Sequence, residues 1–224
     1  MIEQGIRRYY QKLLVDPLAI QLSNRIQPNT ITWLSGLLGL LVIPALLFHQ
    51  VAFAIIFLLL SGYCDTLDGT LARFTHHTTD WGSVLDIMMD RLVEFSVVFG
   101  LWLVDPSYRA LGCFLMLGSM LLCITSFLVV GIFVTNNSHK SFHYSPGIME
   151  RAEAFIFFIA MMLWPSAFAF LAIVFSVLVT LTAVIRLRQF YQQATINTQE
   201  AKIQHTDTIK MRKDSLNSPL LKKI

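Results

Sequence analysis

The chain has 224 residues, 55% of them hydrophobic and 14% charged, with a mean hydropathy of +0.60. That is too apolar for a soluble domain of this length, so the sequence points to an integral membrane protein. The net charge of +3 is modest, and the basic residues gather in the terminal segments rather than in a stripe interleaved with aromatics, so no nucleic-acid partner is indicated.

Residues 1–27 lack the apolar run and small-residue cleavage site of a secretory signal. Ile6, Tyr10, Leu13, Leu14 and Leu18 approximate one helical face with Arg7, Arg8 and Lys12 off it, which predicts a helix lying in the membrane interface. A bilayer crossing needs about 20 mostly apolar residues. Six segments are predicted to cross, near 28–48, 51–73, 82–104, 108–135, 147–163 and 165–188, giving an all-α polytopic domain over residues 28–190. Trp33, Trp81, Trp102 and Trp164 fall near the ends of these segments, where interfacial aromatics belong. Residues 191–224 are polar and carry Lys202, Lys210, Arg212, Lys213, Lys222 and Lys223. They are expected to form a mobile cytoplasmic tail with an attraction for anionic lipid. Cys64, Cys113 and Cys123 all lie in apolar stretches without paired spacing and are expected to pack as small hydrophobes.

The lysine and arginine distribution orients the chain. With both termini in the cytoplasm, that side holds Arg7, Arg8, Lys12, Arg25, Arg73, Lys140, Arg186, Arg188 and the tail, whereas the opposite side holds only Arg109. The end of the second span and the start of the third then face the cytoplasm, and the unusual carboxylates are there.

Asp65, Asp68, Asp86 and Asp90 sit on two otherwise largely apolar helices. Each costs several kcal/mol in a membrane unless it is paired, metal-bound or wet. Spacings of three and four residues put Asp65 with Asp68, and Asp86 with Asp90, on shared helix faces. A short turn makes the two helices antiparallel neighbours, so both faces can converge on one pocket. Clustered hard oxygen donors suit Mg²⁺ or a similar divalent cation, and such cations bind phosphates. Gly69 and Gly82 remove bulk where a nucleotide or metal approaches the backbone, and Arg73 supplies a cation for phosphate or for carboxylate pairing. Pairing of the aspartates with Arg73, Arg91 and Arg151 is the structural alternative, and an intramembrane cation site in a transporter is the functional one. His76 and His77 in the turn are expected to be solvated, and Glu94 either pairs with Arg91 or extends the pocket.

Residues 65–90 read D-x-x-D-G-x-x-A-R, eight residues, then G-x-x-x-D-x-x-x-D. With eight fixed positions at fixed spacing, the chain resembles the CDP-alcohol phosphatidyltransferases over everything but its tail. The resemblance implies an enzyme that moves a phosphatidyl group from a CDP-lipid to a small hydroxylated acceptor and releases CMP. It implies that Asp65, Asp68 and Asp86 ligate a pair of Mg²⁺ or Mn²⁺ ions with Asp90 also near the metals, and that Asp90 is the general base. It assigns Asp68, Gly69, Ala72, Arg73 and Gly82 to the nucleotide, and it implies a homodimer integral to a membrane, the inner or plasma membrane if the source is bacterial. Lys140 and Arg151, on the same side as Asp90, are the candidates for binding the acceptor. Asp90-Arg91 and the segment from Gly147 to Glu153 look most like the inositol-phosphate branch, although Ile87 stands where that branch usually has Ser and Ala152 where it has Pro. Glycerol 3-phosphate and serine are the other acceptors considered.

Overall fold

The computed structural model describes residues 11–23, 25–75, 78–133 and 149–216. A π-helical turn, Gln11–Val15, leads into α1 (Asp16–Leu22), and six longer helices follow. These are α2 (Pro28–Leu47), α3 (Val51–Phe74), α4 (Asp80–Val104), α5 (Pro106–Phe133), α6 (Arg151–Leu163) and α7 (Phe168–Leu216), the last preceded by a 3₁₀ turn at Pro165–Ala167.

Local signals set several of these ends. Pro28 opens α2 in the first turn, where its missing N–H costs nothing. The tight link from α2 to α3 passes through His49, whose φ of 57° lies in the left-handed region, and it makes the two helices antiparallel neighbours. Thr79 caps α4 by accepting a hydrogen bond from the Gly82 N–H at 3.0 Å. Asp105 does the same for α5, accepting from the Tyr108 N–H at 3.1 Å, with Pro106 next in the chain.

Apolar burial alone does not join helices in lipid, since the tails are as apolar as leucine; close packing and interhelical hydrogen bonds do. Helix α2 lies against both α3 and α4. Ser35 donates to the Ser61 carbonyl on α3 at 2.9 Å. On its other side Gly39 is so close to α4 that a Cβ there would meet Val93 Cγ2 at 2.5 Å and Val93 Cα at 3.1 Å. Helix α5 packs on α7, where Gly112 admits the Phe168 ring. One apolar cluster joins these pairs through Leu46, Leu58, Val97, Leu101, Met116, Phe158 and Phe175. Large side chains such as Leu111, Phe114 and Ile132 stay exposed, as lipid-facing residues would.

The all-helical expectation holds among the described residues, whereas the count of six spans is not confirmed there. Four helices are long and apolar enough to cross a membrane: Pro28–Leu47, Val51–Phe74, Pro106–Phe133 and Pro165–Gln192. Helix α4 is long enough at 25 residues, but it carries Asp80, Asp86, Asp90, Arg91 and Glu94 and so fails on apolarity. Helix α6 has 13 residues, about 20 Å, against a hydrocarbon core of about 30 Å.

The N-terminal interfacial helix is not confirmed by the described residues. Residues 1–10 lie outside the described residues, as does the side chain of Lys12. In the described portion, Val15 and Ala19 pack against Cys64, Leu67 and Leu71 of α3, while Leu13 and Leu14 point outward. The inward face is therefore set by the α3 contact and not by the largest apolar side chains. The boundary expected at residue 190 is not a break in secondary structure, because α7 continues as helix to Leu216. Residues 217–224 lie outside the described residues.

Candidate active site

Helices α3 and α4 bring the two halves of the aspartate motif together. Carboxylate oxygens of Asp65, Asp68 and Asp86 all lie within 4.8 Å of one another. Asp68 is buried, 4% exposed, and its Oδ2 accepts no hydrogen bond from the described residues. A buried carboxylate oxygen left this way is costly unless something else binds it. Three hard oxygen donors at this separation, one of them with an unused lone pair in the interior, fit a divalent cation.

Asp90 stands one turn beyond Asp86 on α4 and is held by arginine. The first residue of α6, Arg151, reaches Asp65 Oδ1 at 2.5 Å and makes a close ion pair with Asp90 Oδ1 through the same Nη1. Arg91 Nη2 lies 3.9 Å from Asp90 Oδ2, and Arg91 Nη1 forms a close ion pair with the buried Glu94. Of the two roles considered for Glu94, the geometry selects pairing with Arg91. The structural alternative is thus realised in part, since Arg91 and Arg151 do pair with carboxylates. Those pairs engage Asp65, Asp90 and Glu94 and leave Asp68 Oδ2 without a partner among the described residues.

The other expected residues line the motif's flanks. Gly69 is open enough that an added Cβ would touch only Arg73 Nη1, at 3.5 Å. Ala72 is half-buried, and Arg73 is exposed with its Nη2 donating to Thr70 Oγ1 at 3.0 Å. At Gly82 a Cβ would meet Thr79 Oγ1 at 3.1 Å and Asn29 Oδ1 at 3.2 Å. Lys140, His76 and His77 lie outside the described residues.

Two residues near the site escaped the sequence reading, Asn29 and Thr32 at the start of α2. Asn29 faces Gly82. The buried Thr32 hydroxyl, 3.2 Å from the Pro28 carbonyl, is also within hydrogen-bonding reach of the Asp68 carboxyl group. The available signal was the Pro28-Asn29-Thr30 helix start, at the end of the first predicted span that the charge distribution puts on the same side as the aspartates.

Comparison with known proteins agrees with this geometry. A family model described as CDP-alcohol phosphatidyltransferase matches residues 25–199. The chain is 32% identical over 173 residues to inner membrane protein YnjF of Escherichia coli, covering 74% of this chain and 84% of that one. It is 28% identical over 152 residues to the phosphatidylinositol phosphate synthase of Corynebacterium glutamicum, covering 65% and 67% respectively. The fold matches the crystal structure of Mycobacterium tuberculosis phosphatidylinositol phosphate synthase with CDP-DAG bound, with a TM-score of 0.68 at 20% identity over 80% of this chain and 94% of that chain. A second structure of that protein, in complex with manganese and citrate, gives a TM-score of 0.67 at 19% identity, over 80% and 89%. With its family model spanning most of the chain and its aspartates converged as the signature requires, this membrane protein belongs to the CDP-alcohol phosphatidyltransferase family and is an enzyme of phospholipid biosynthesis.

Proposed function

We propose that this enzyme transfers the phosphatidyl group of CDP-diacylglycerol to inositol phosphate, with its active site at the cytoplasmic face. The observation that carries the reading is the convergence of Asp65, Asp68 and Asp86 beside an Asp90 joined to them through Arg151. Asp65, Asp68 and Asp86 would hold the divalent cations, with Asp90 close by. Bound there, Mg²⁺ or Mn²⁺ supplies charge neutralisation for the pyrophosphate and for the departing oxygen.

The residues of the chain supply the rest. Asp90 takes the proton of the acceptor hydroxyl, and that oxygen attacks the lipid-linked phosphorus. The bond from this phosphorus to the oxygen bridging it to CMP breaks, and CMP leaves with that electron pair. Gly69, Ala72, Arg73 and Gly82 border the nucleotide. Asn29 and Thr32 share that border through their contacts with Gly82 and Asp68.

The choice of acceptor rests on Arg151 and Lys140 as cations for a second phosphate, and on relatives and fold neighbours that are phosphatidylinositol phosphate synthases. Arg151 Nη2 is buried and donates no hydrogen bond to the described residues, so it has a donor to offer an anionic acceptor. The test is to incubate the purified protein with CDP-diacylglycerol, Mg²⁺ or Mn²⁺, and a panel of inositol phosphate, inositol, glycerol 3-phosphate and serine. Products are identified by mass. A phosphatidylinositol phosphate product with stoichiometric CMP supports the reading. Product only with an uncharged acceptor rejects the phosphate pocket and leaves phosphatidyl transfer standing.

A further inference from the structure

Arg151 is the first residue of α6, and a helix end is the part of a helix most free to move. What anchors this end comes from another helix. The Met149 N–H, two residues before Arg151, donates to Thr182 Oγ1 on α7 at 3.1 Å. Thr182 is 1% exposed, and its own hydroxyl donates to the Leu178 carbonyl at 2.9 Å. A buried threonine inside an apolar helix ordinarily stops at that second bond, which satisfies its proton. Here the fixed proton direction turns a lone pair toward Met149, so the hydroxyl works in both directions.

The segment of α7 that carries Thr182 is itself tied down. One turn further on, Arg186 Nη1 donates to the Cys123 carbonyl of α5 at 3.0 Å and to Ser126 Oγ at 3.2 Å, and its guanidinium lies 5.2 Å from the centre of the Phe127 ring. The start of α6 is therefore referenced to a braced α5–α7 pair. From that start Arg151 reaches across to Asp65 on α3 and Asp90 on α4.

We infer that Thr182 is a positioning residue for Arg151. It fixes the first turn of α6 so that the guanidinium meets the carboxylates and, in the proposed reaction, the anionic group of the acceptor. The inference rests on the role proposed for Arg151. Displacements of about 1 Å at a binding group are enough to matter kinetically, and a Met149 N–H released from Thr182 permits them.

The test is a kinetic double-mutant cycle in the full-length protein. It compares Thr182→Val, Arg151→Gln and the double variant, with Thr182→Ser as the conservative control and Thr182→Ala as a second variant without the hydroxyl should valine prevent purification. CDP-diacylglycerol is the donor, and inositol phosphate, glycerol 3-phosphate and serine are run in parallel as acceptors. Thr182→Val is expected to raise the acceptor KM about three- to tenfold, the effect of one lost hydrogen bond. The donor KM should stay within about twofold, and Thr182→Ser should restore the native value. In the Arg151→Gln background, loss of the hydroxyl should change nothing further.

Additive effects in the double variant overturn the inference, as does a serine variant as impaired as the valine or alanine one. If Arg151→Gln raises both KM values equally, the acceptor role of Arg151 fails. The positioning role then stands only if Thr182→Val shows that same equal pattern and is still masked by Arg151→Gln. Absence of turnover with all three acceptors rejects the proposed reaction and this inference with it.

Discussion

The guanidinium of Arg151, at the first turn of α6, lies 2.5 Å from Asp65 Oδ1 on α3, and the same nitrogen pairs with Asp90 on α4. One cation thus links the carboxylate cluster to the residue proposed as the base. Replacing it by glutamine removes the charge-assisted hydrogen bonds proposed to the acceptor, each worth about 1.5–3 kcal/mol. Arg151→Gln should therefore raise the acceptor KM roughly ten- to a hundredfold, with a much smaller change for the CDP-lipid. Arg151→Lys should restore this only in part, because an ammonium lacks the planar fork that spans two partners. Steady-state kinetics with each substrate varied in turn decides the matter, and equal effects on both KM values would assign Arg151 a structural role.

Asp68 Oδ2 is buried and accepts no hydrogen bond from the described residues, which makes metal removal the next test. Activity should vanish in excess chelator and return with Mg²⁺ or Mn²⁺. Asp65→Asn, Asp68→Asn and Asp86→Asn should each insert in the membrane and lose turnover. Titration calorimetry with Mn²⁺ on each variant gives a readout independent of turnover, and a variant that binds Mn²⁺ as the native protein does is not a ligand variant.

For Asp90 the expected signature differs. Removing a general base lowers the chemical step by about 10²–10⁴-fold. Asp90→Asn should show that loss in kcat with both KM values close to native. A KM effect comparable to the kcat effect would make Asp90 mainly a binding residue.

How far the sequence carried depended on the range of the interactions. The aspartate faces were legible because i,i+3 and i,i+4 spacings are local, and one short turn between helices forces the faces together. Pairing with Arg151 was offered only as one alternative among three arginines, and which aspartates it meets depends on how α6 docks, which no periodicity encodes. Thr182 was invisible, since in sequence it is one hydroxyl in an apolar run. A third span at α4 is not confirmed because its acidic and basic residues depress the apolarity of a helix otherwise long enough to cross. The helical continuation of α7 beyond Gln192 was missed because polarity was equated with mobility. Gln193, Ala194, Gln199, Glu200, Ala201 and Lys202 are good helix formers whatever their hydropathy.

Gly39 gives a prediction about assembly. A side chain there would collide with both the side chain and the backbone of Val93. Overpacking of this kind costs about 1–3 kcal/mol. Gly39→Val should lower the thermal midpoint of the detergent-purified protein and reduce activity by separating α2 from α4. Gly118, where a Cβ would meet nothing within 4 Å, is the control, and Gly118→Ala should leave the midpoint unchanged. An unshifted Gly39→Val protein would show that the α2–α4 contact is not close in the membrane.

The membrane orientation is argued from charge and tested by access. Arg7, Arg8, Arg25, Arg73, Arg186 and Arg188 fall on the side assigned to the cytoplasm, against Arg109 on the other. Arg109 is also an unusual arginine, since it is 5% exposed, donates to the Leu101 carbonyl at 3.1 Å and stacks 4.9 Å from the centre of the Phe168 ring. It is spent on joining α4, α5 and α7 and offers little to a charged membrane surface, just as Arg186 is spent on bracing α5 against α7, so the asymmetry rests on Arg7, Arg8, Arg25, Arg73 and Arg188. Asp80, exposed at the first turn of α4, lies beside the proposed active-site mouth and is a suitable reporter. In a background with Cys64, Cys113 and Cys123 replaced, Asp80→Cys should react in intact cells only with a membrane-permeant maleimide, and Ser107→Cys, exposed at the start of α5, should react with an impermeant one. The reverse pattern would invert the topology and move the proposed acceptor site to the outer face, where soluble phosphorylated acceptors made inside the cell could not reach it.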